Sequence, residues 1–282
     1  MIGVMIVVTG ASGRVGGAVV NALADLGLPV RAVSRSGHHE TTHRPLVEHV
    51  EGNLDVPRSM SGPLAGSEAL FLLSGFAGTA AVLDRARDAG TKRVVLLSSG
   101  CVAGGDRANA VVRYNAESED AVRESELQWT VLRPSGFMSN ALRWQPELAH
   151  GNTVRVPFAD IPVAVIDPAD IASAAVPALT SDRLGGEILR LTGPEALTPV
   201  EQLTILGQVL DRDLRARELS VDEARDFYRE TLPEPYVDAF MSFSADRTYD
   251  DSIVDPTLPR VTGRPANTFT HWAEANGAEF TK

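Results

Sequence analysis

Continuous apolar runs alternate with amphipathic stretches through the first half of the chain. Residues 2–9 (IGVMIVVT) form an unbroken apolar run closed by Gly10, the pattern of a strand buried on both faces. Residues 14–26 follow with Val15, Val19, Ala22, Leu23 and Leu26 at helical spacing, and Gly27 stops the helix. Further strands are expected at 30–34, 47–50, 69–73, 93–97 and 129–132, with helices at 79–89 and 110–125 between them. Such alternation builds a doubly wound α/β fold: a mostly parallel sheet with right-handed crossovers and helices on both faces.

Beyond residue 150 the pattern loosens. Helices are expected at 171–179 and 200–210, with a late strand at 188–191. Thr198-Pro199-Val200-Glu201 and Ser220-Val221-Asp222-Glu223 fit the capping box, a hydroxyl and a glutamate three residues apart. Residues 232–265, rich in proline and acid, read as short helices and turns. We therefore expect a nucleotide domain at 1–150 and a smaller α/β lobe at 151–282 on the substrate side. The strand near 188–192 is expected to join the first domain's sheet.

The loop Gly10-Ala11-Ser12-Gly13-Arg14-Val15-Gly16 joins the first strand to the first helix with G-x-x-G-x-x-G spacing. Strand before and helix after make this the context of a Rossmann dinucleotide loop. Gly10 permits the tight turn, Gly13 lets the backbone approach a pyrophosphate, and Gly16 lets the helix lie close to the sheet. Amides of the helix start, around Ser12, Arg14 and Val15, would then face phosphate with the positive end of the dipole. The bland alternative is a tight turn with no ligand. The second strand ends Arg31-Ala32-Val33-Ser34-Arg35-Ser36 and carries no acid before Glu40. NAD-preferring folds place an acid there for the ribose 2′-hydroxyl, whereas Arg35, helped by Ser34, would suit a 2′-phosphate. NADP(H) is therefore expected over NAD(H); the alternative is a solvated surface arginine.

These features resemble the NmrA-like branch of the atypical short-chain dehydrogenase/reductase superfamily, which includes NADPH-dependent quinone oxidoreductases and redox-sensor proteins. Val50-Glu51-Gly52-Asn53-Leu54-Asp55 is similar to the family's segment beside the adenine, with Asn53 in place of the usual acid. Leu70-Phe71-Leu72-Leu73-Ser74 resembles the segment under the ribose. Trp129-Thr130-Val131-Leu132-Arg133-Pro134, with Phe137-Met138-Ser139-Asn140, resembles the strand and turn near the nicotinamide. Asp167-Pro168-Ala169-Asp170, Leu191-Thr192-Gly193-Pro194 and residues 269–280 also follow the family's pattern. The resemblance implies cofactor contacts from Gly10, Ser12, Gly13, Arg14, Val15, Ser34, Arg35, Asn53, Leu73, Ser74, Ser98 and Pro134. It implies substrate contacts from Phe76, Phe137 and Asn140, in a pocket between Phe76, residues 99–103, residues 134–140 and the last lobe.

The composition narrows the chemistry. The 282 residues carry a net charge of −11, which argues against nucleic-acid or acidic-membrane partners, and no apolar run is long enough for a membrane span. The start of the chain has no basic residue ahead of its apolar stretch, so a secretory leader is not expected and the cytoplasm is. The one cysteine, Cys101, excludes an intramolecular disulfide and reads as inert without a local histidine or cation. His38, His39 and His43, supported only by Glu40, read as a polar loop, and no metal is expected. Trp129 and Trp144 read as packing residues, and the acids of 117–126 as the wet face of a helix with Arg123 interleaved.

The superfamily's better-known members use a Tyr-x-x-x-Lys pair on the helix before the Leu-Arg-Pro strand. Here the only lysines are Lys92 and Lys282, neither on that helix, and Ser118 stands four residues after Tyr114. Tyr114, Asn115 and Ser99 remain candidates: a tyrosine without lysine can donate a hydrogen bond yet is a poor base at neutral pH. The expected function is hydride transfer from NADPH to an aromatic, quinone-like or conjugated carbonyl acceptor, possessing a homodimer as its candidate assembly. A non-enzymatic NADP-responsive regulator and, more weakly, an epimerase using bound cofactor are the alternatives.

Overall fold

Isoleucine and valine of the first strand lie wholly out of solvent, Ile6, Val7 and Val8 each at 0% exposure. A strand buried on both faces needs neighbours on both edges and helices on both sides. The computed structural model, which describes residues 5–36 and 44–281, supplies both. In chain order its elements are β1 (Met5–Thr9), α1 (Arg14–Asp25), β2 (Val30–Ser34), β3 (Val47–Glu51), α2 (Ser61–Leu64), β4 (Ser67–Leu73), α3 (Thr79–Asp88), β5 (Arg93–Leu97), α4 (Ala110–Glu124) and β6 (Gln128–Pro134). There follow α5 (Gln145–Leu148), β7 (Thr153–Pro157), α6 (Pro168–Thr180), β8 (Ile188–Leu191), α7 (Pro199–Leu210), β9 (Arg215–Leu219), α8 (Val221–Arg229), α9 (Glu234–Ser244), α10 (Thr257–Thr262) and α11 (Phe269–Asn276).

Seven strands form one sheet in the order β3-β2-β1-β4-β5-β6-β8. The pairs β1–β2, β1–β4, β2–β3, β4–β5 and β5–β6 are all parallel. The doubly wound, mostly parallel sheet expected from the apolar runs is thus present, with the late strand β8 at its edge. Strand order reverses between β1 and β4, and ligands of open α/β sheets bind beyond the carboxyl ends at such a switch point. Side chains alternate across the sheet. Val7, Val33, Leu70, Leu72, Val94, Leu96 and Val131 share one core with Val82 and Leu83 of α3 and Val122 of α4. On the sheet's helical cover α1 packs against α6, which also touches β4, β5 and β6.

The chain divides into two compact units that are discontinuous in sequence. Unit 1 comprises 1–102, 114–134 and 168–190; unit 2 comprises 103–113, 135–167 and 191–282. A single division at 150 therefore does not describe the fold. β8 lies in the seven-stranded sheet, where the late strand was placed, and α6, which the pattern left with the second lobe, packs on that sheet too. Unit 2 has its own core, in which Met138, Trp144, Leu203, Leu206, Phe269 and Trp272 are buried together. It also carries a small parallel pair, β7 with β9, that no apolar run announces. Both expected capping boxes form: Thr198 and Ser220 each accept from the glutamate amide three residues on, and each glutamate answers the cap's own amide.

Candidate nucleotide and acceptor site

At the end of β1, Thr9 is buried and ties the switch point together. Its hydroxyl donates to the Phe71 carbonyl at 2.9 Å and accepts from the Leu73 amide at 3.2 Å. Gly10 then turns at φ +63°, a conformation that favours glycine. A side chain there would run into that of Leu73, so two residues expected to meet a nucleotide already meet each other. The Gly13 amide closes the turn on the Gly10 carbonyl at 2.9 Å. A Cβ on Gly16 would strike that same carbonyl, so only glycine lets α1 begin this close to the loop.

Gly13 caps α1 and, having no side chain, places no oxygen over the first-turn amides. Ser12, Gly13 and Arg14 are exposed, while Val15 and Gly16 are buried behind them. A bare helix start at the switch point can hold a pyrophosphate between its amides, so the residues present fit a dinucleotide. One strand over, Ser34 is buried and its carbonyl accepts from the Gly52 amide at 2.9 Å. Arg35 beside it is exposed and has no ion pair among the described residues. Asn53 is half-buried; its side chain accepts from the Asp55 amide at 3.0 Å and so shapes the turn it sits in.

The carboxyl ends of β4, β5 and β6 meet the inner face of α4. Asn115 is buried and accepts from the Ser74 hydroxyl at 2.5 Å. Ser118 is buried too; it accepts from the Gly75 amide at 3.0 Å and donates to the Tyr114 carbonyl at 2.9 Å. Glu119, at 0% exposure, accepts from the Ser98 hydroxyl at 2.6 Å and from both arms of Arg133 at 2.8 and 2.7 Å. Arg123 adds a contact at 2.7 Å. Burial alone would raise the Glu119 pKa, but the bonds from Arg133 and Ser98 and the two arginine charges outweigh it and hold it below the usual value. The acids of 117–126 are therefore not all a wet face: Glu119 is the centre of a buried clasp. A four-residue step from Asn115 to Glu119, one helical turn, is the signal that puts both on one face.

The expected cofactor residues thus divide. Ser74 and Ser98 donate their hydroxyls to Asn115 and Glu119, and their amides to the Leu97 and Leu132 carbonyls, so towards a ligand their hydroxyl and carbonyl oxygens act as acceptors. Tyr114 is half-buried, with its ring 3.0 Å from where a Cβ on Gly75 would stand. Gly75 has φ +89°, a second reason for glycine there. Phe76 is half-buried against the unit 1 core, and the Ser99 hydroxyl accepts from the Cys101 amide at 3.4 Å. Cys101 is buried. Pro134 ends β6 in unit 1.

In unit 2, Phe137 is half-buried and Asn140 exposed. The turn before them is pinned by Asp251, which accepts from the Gly136 amide and the Tyr249 hydroxyl, both at 2.9 Å. No pattern in the sequence singles out Asp251, because its partner lies 115 residues away. Trp144 is buried in the unit 2 core and Trp129 packs against that of unit 1, as expected of packing residues. His38, His39, Glu40 and His43 lie outside the described residues. Among the described residues no helix is long and apolar enough to cross a membrane.

The NAD(P)H-binding family matches residues 10–182, from the glycine turn through the helix that packs on α1. The chain belongs to it. The (4-alkanoyl-5-oxo-2,5-dihydrofuran-3-yl)methyl phosphate reductase of Streptomyces griseus is 39% identical over 280 residues, covering 98% of this chain and 99% of its own. The NAD(P)H azoreductase of Xenophilus azovorans is 31% identical over 286 residues, with 98% and 99% covered. Among solved structures, the NADPH-dependent quinone oxidoreductase QOR2 of Escherichia coli in complex with NADPH has a TM-score of 0.75 at 20% identity, covering 96% of this chain and 99% of that one. NmrA, a negative transcriptional regulator, has a TM-score of 0.74 at 19% identity, covering 99% and 100%. At such identity these structures show the shared fold, in agreement with the NmrA-like resemblance. The chain is a member of an NAD(P)H-dependent reductase family, and a nicotinamide nucleotide is its cofactor.

Proposed function

We propose that this protein reduces a small conjugated acceptor, quinone-like or an unsaturated carbonyl compound, and that it prefers NADPH. In this proposal the amides around Gly13, Arg14 and Val15 hold the pyrophosphate, and Arg35 with Ser34 reads the 2′-phosphate. Asn53, Leu73 and the chain around Ser74, Ser98 and Pro134 line the rest of the nucleotide, with the two serines acting as acceptors through their hydroxyl and carbonyl oxygens. When bound, the nicotinamide supplies hydride and is oxidised to NADP+, while a proton from water completes the reduced acceptor.

The observation that carries the choice of acceptor is the position four residues after Tyr114. Ser118 stands there with its hydroxyl held between the Gly75 amide and the Tyr114 carbonyl. It can neither lower a tyrosine pKa as a lysine would nor move a proton itself. That favours an acceptor that takes hydride readily over the oxidation of a simple alcohol. Tyr114 and Asn115 then orient the acceptor or the ribose by hydrogen bonding. The Streptomyces relative is in keeping with this, since its named substrate is a conjugated lactone.

The test is steady-state oxidation of NADPH with a panel of quinones, conjugated lactones and saturated ketones. We expect turnover with the first two classes and none with the third. A protein that binds NADPH and consumes none with any conjugated acceptor would be a cofactor-responsive regulator instead.

A further inference from the structure

A hydroxyl group carries one proton and two lone pairs, so the partner that takes the proton decides what the oxygen offers elsewhere. At the carboxyl ends of the central strands of unit 1 the protein takes that proton each time. The Thr9 hydroxyl donates to the Phe71 carbonyl, the Ser74 hydroxyl to Asn115 Oδ1 at 2.5 Å, and the Ser98 hydroxyl to Glu119 at 2.6 Å. Thr9 is 1% exposed and Ser98 5%, whereas Ser74 is half-buried, so a ligand reaches Ser74 most readily.

Ser74 has little freedom. Its amide donates to the Leu97 carbonyl at 3.1 Å, and the next amide, that of Gly75, donates to the Ser118 hydroxyl at 3.0 Å. Asn115 and Ser118, three residues apart on α4, therefore hold Ser74 and Gly75 from one helical face. Asn115 is 2% exposed, so water competes little for the Ser74 proton.

The sheet order sets β2 on one side of β1 and β4 on the other. A dinucleotide laid across this switch point has its pyrophosphate at the loop after β1 and its two sugars on opposite sides. Arg35, just past β2, marks the adenosine side. On the other side the Leu73 amide bonds to Thr9, and the Leu73 side chain crowds the space beside Gly10. Ser74 is the next residue, one strand spacing of about 4.8 Å from β1. The group beside the pyrophosphate on that side is the nicotinamide ribose, whose hydroxyls can donate. No lysine of α4 is at hand to hold it.

We propose that Asn115 is a positioning residue for the cofactor. By taking the Ser74 proton it leaves Ser74 an acceptor, and Ser74 then receives a hydrogen bond from a hydroxyl of the nicotinamide ribose. A neutral pair thus does the holding, in keeping with a helix that has no ribose-binding cation. This deepens the proposed function and rests on its placement of the nucleotide, not on the identity of the acceptor.

The experiment is calorimetry with four ligands: NADP+, two analogues in which fluorine replaces the 2′- or the 3′-hydroxyl of the nicotinamide ribose, and 2′,5′-ADP, which lacks the nicotinamide half. Fluorine cannot donate a hydrogen bond. Wild type should bind one of the fluorinated analogues about 3- to 10-fold more weakly than NADP+. Ser74→Ala and Asn115→Leu should narrow that difference to within about twofold and bind 2′,5′-ADP as wild type does. Asn115→Ala replaces the leucine variant if lost 2′,5′-ADP binding shows that leucine disturbs the fold. Equal binding of NADP+ and both analogues by wild type, or an undiminished difference in either the serine or the asparagine variant, would overturn the proposal. A wild type that binds neither NADP+ nor 2′,5′-ADP would instead refute the nucleotide placement, and this proposal with it.

Discussion

The loop after β1 and the inner face of α4 both bring polar groups to the carboxyl ends of the strands in unit 1. Around α4 each group meets another within the protein: Asn115 with Ser74, Ser118 with Gly75, and Glu119 with Ser98 and Arg133. Around α1 the cap is a glycine that makes no side-chain cap bond, and Ser12, Gly13 and Arg14 are exposed among the described residues. Buried polar groups that pair internally hold strands and helices in register, while a helix start carries the positive end of the dipole and suits an anion. Similar position on the sheet therefore does not imply similar work. We infer that the α4 face builds the site and the loop after β1 receives the nucleotide.

Gly13→Val should produce the largest separation between the two faces. Gly13 has ordinary extended backbone angles, and a Cβ there would stand 3.2 Å from the Gly10 carbonyl, a contact that a small shift relieves. The branched side chain would nonetheless fill the approach to the amides. NADPH binding by calorimetry should disappear while the melting transition moves little. Binding at wild-type affinity would show that this loop does not hold the nucleotide.

Glu119→Gln should do the reverse, weakening the fold and leaving Arg133 without its partner. Breaking a buried pair on one side costs about 3 kcal/mol, which urea unfolding would read directly. The acid limb of stability gives a second check. The folded pKa of Glu119 lies below its unfolded value, so its contribution is complete above about pH 4.3 and is lost as pH falls through the folded pKa. The variant should show a shallower decline in that range, and an identical decline would mean that the clasp carries no linked stability.

Arg35→Ala sharpens the comparison on the open side alone. Loss of a charge-assisted contact to a 2′-phosphate is worth about 1.5–3 kcal/mol, roughly 10- to 150-fold in affinity. NADPH should weaken by that factor and NADH much less; equal loss for both would mean that Arg35 reads no phosphate. Tyr114→Phe should have the smallest effect. Turnover should drop by no more than about tenfold, or ~1.4 kcal/mol of transition-state stabilisation. A fall of several orders of magnitude in single-turnover hydride transfer would make Tyr114 an essential acid.

Unit 1 was legible because β1, β4 and β5 are largely apolar runs and Gly10 closes the first of them at a positive φ that glycine tolerates best. Residues 30–34, 93–97 and 188–191 are strands with the bounds the pattern predicts. Unit 2 was less so, since the β7 and β9 segments, TVRVP and RAREL, mix arginine and glutamate into short strands that are partly exposed. Glu119 was misread because its burial depends on Ser98 and Arg133, one strand before its helix and one after, while its immediate neighbours are charged.

The most direct test of hydride transfer uses NADPH carrying deuterium at the transferable position of its nicotinamide ring, with an acyl butenolide as acceptor. Mass spectrometry of the product should show a single deuterium on the reduced carbon skeleton, and unlabelled NADPH should give none. An unlabelled product, or a cofactor that stays reduced in the presence of the acceptor, would contradict the proposal that this protein is a reductase of conjugated carbonyl compounds.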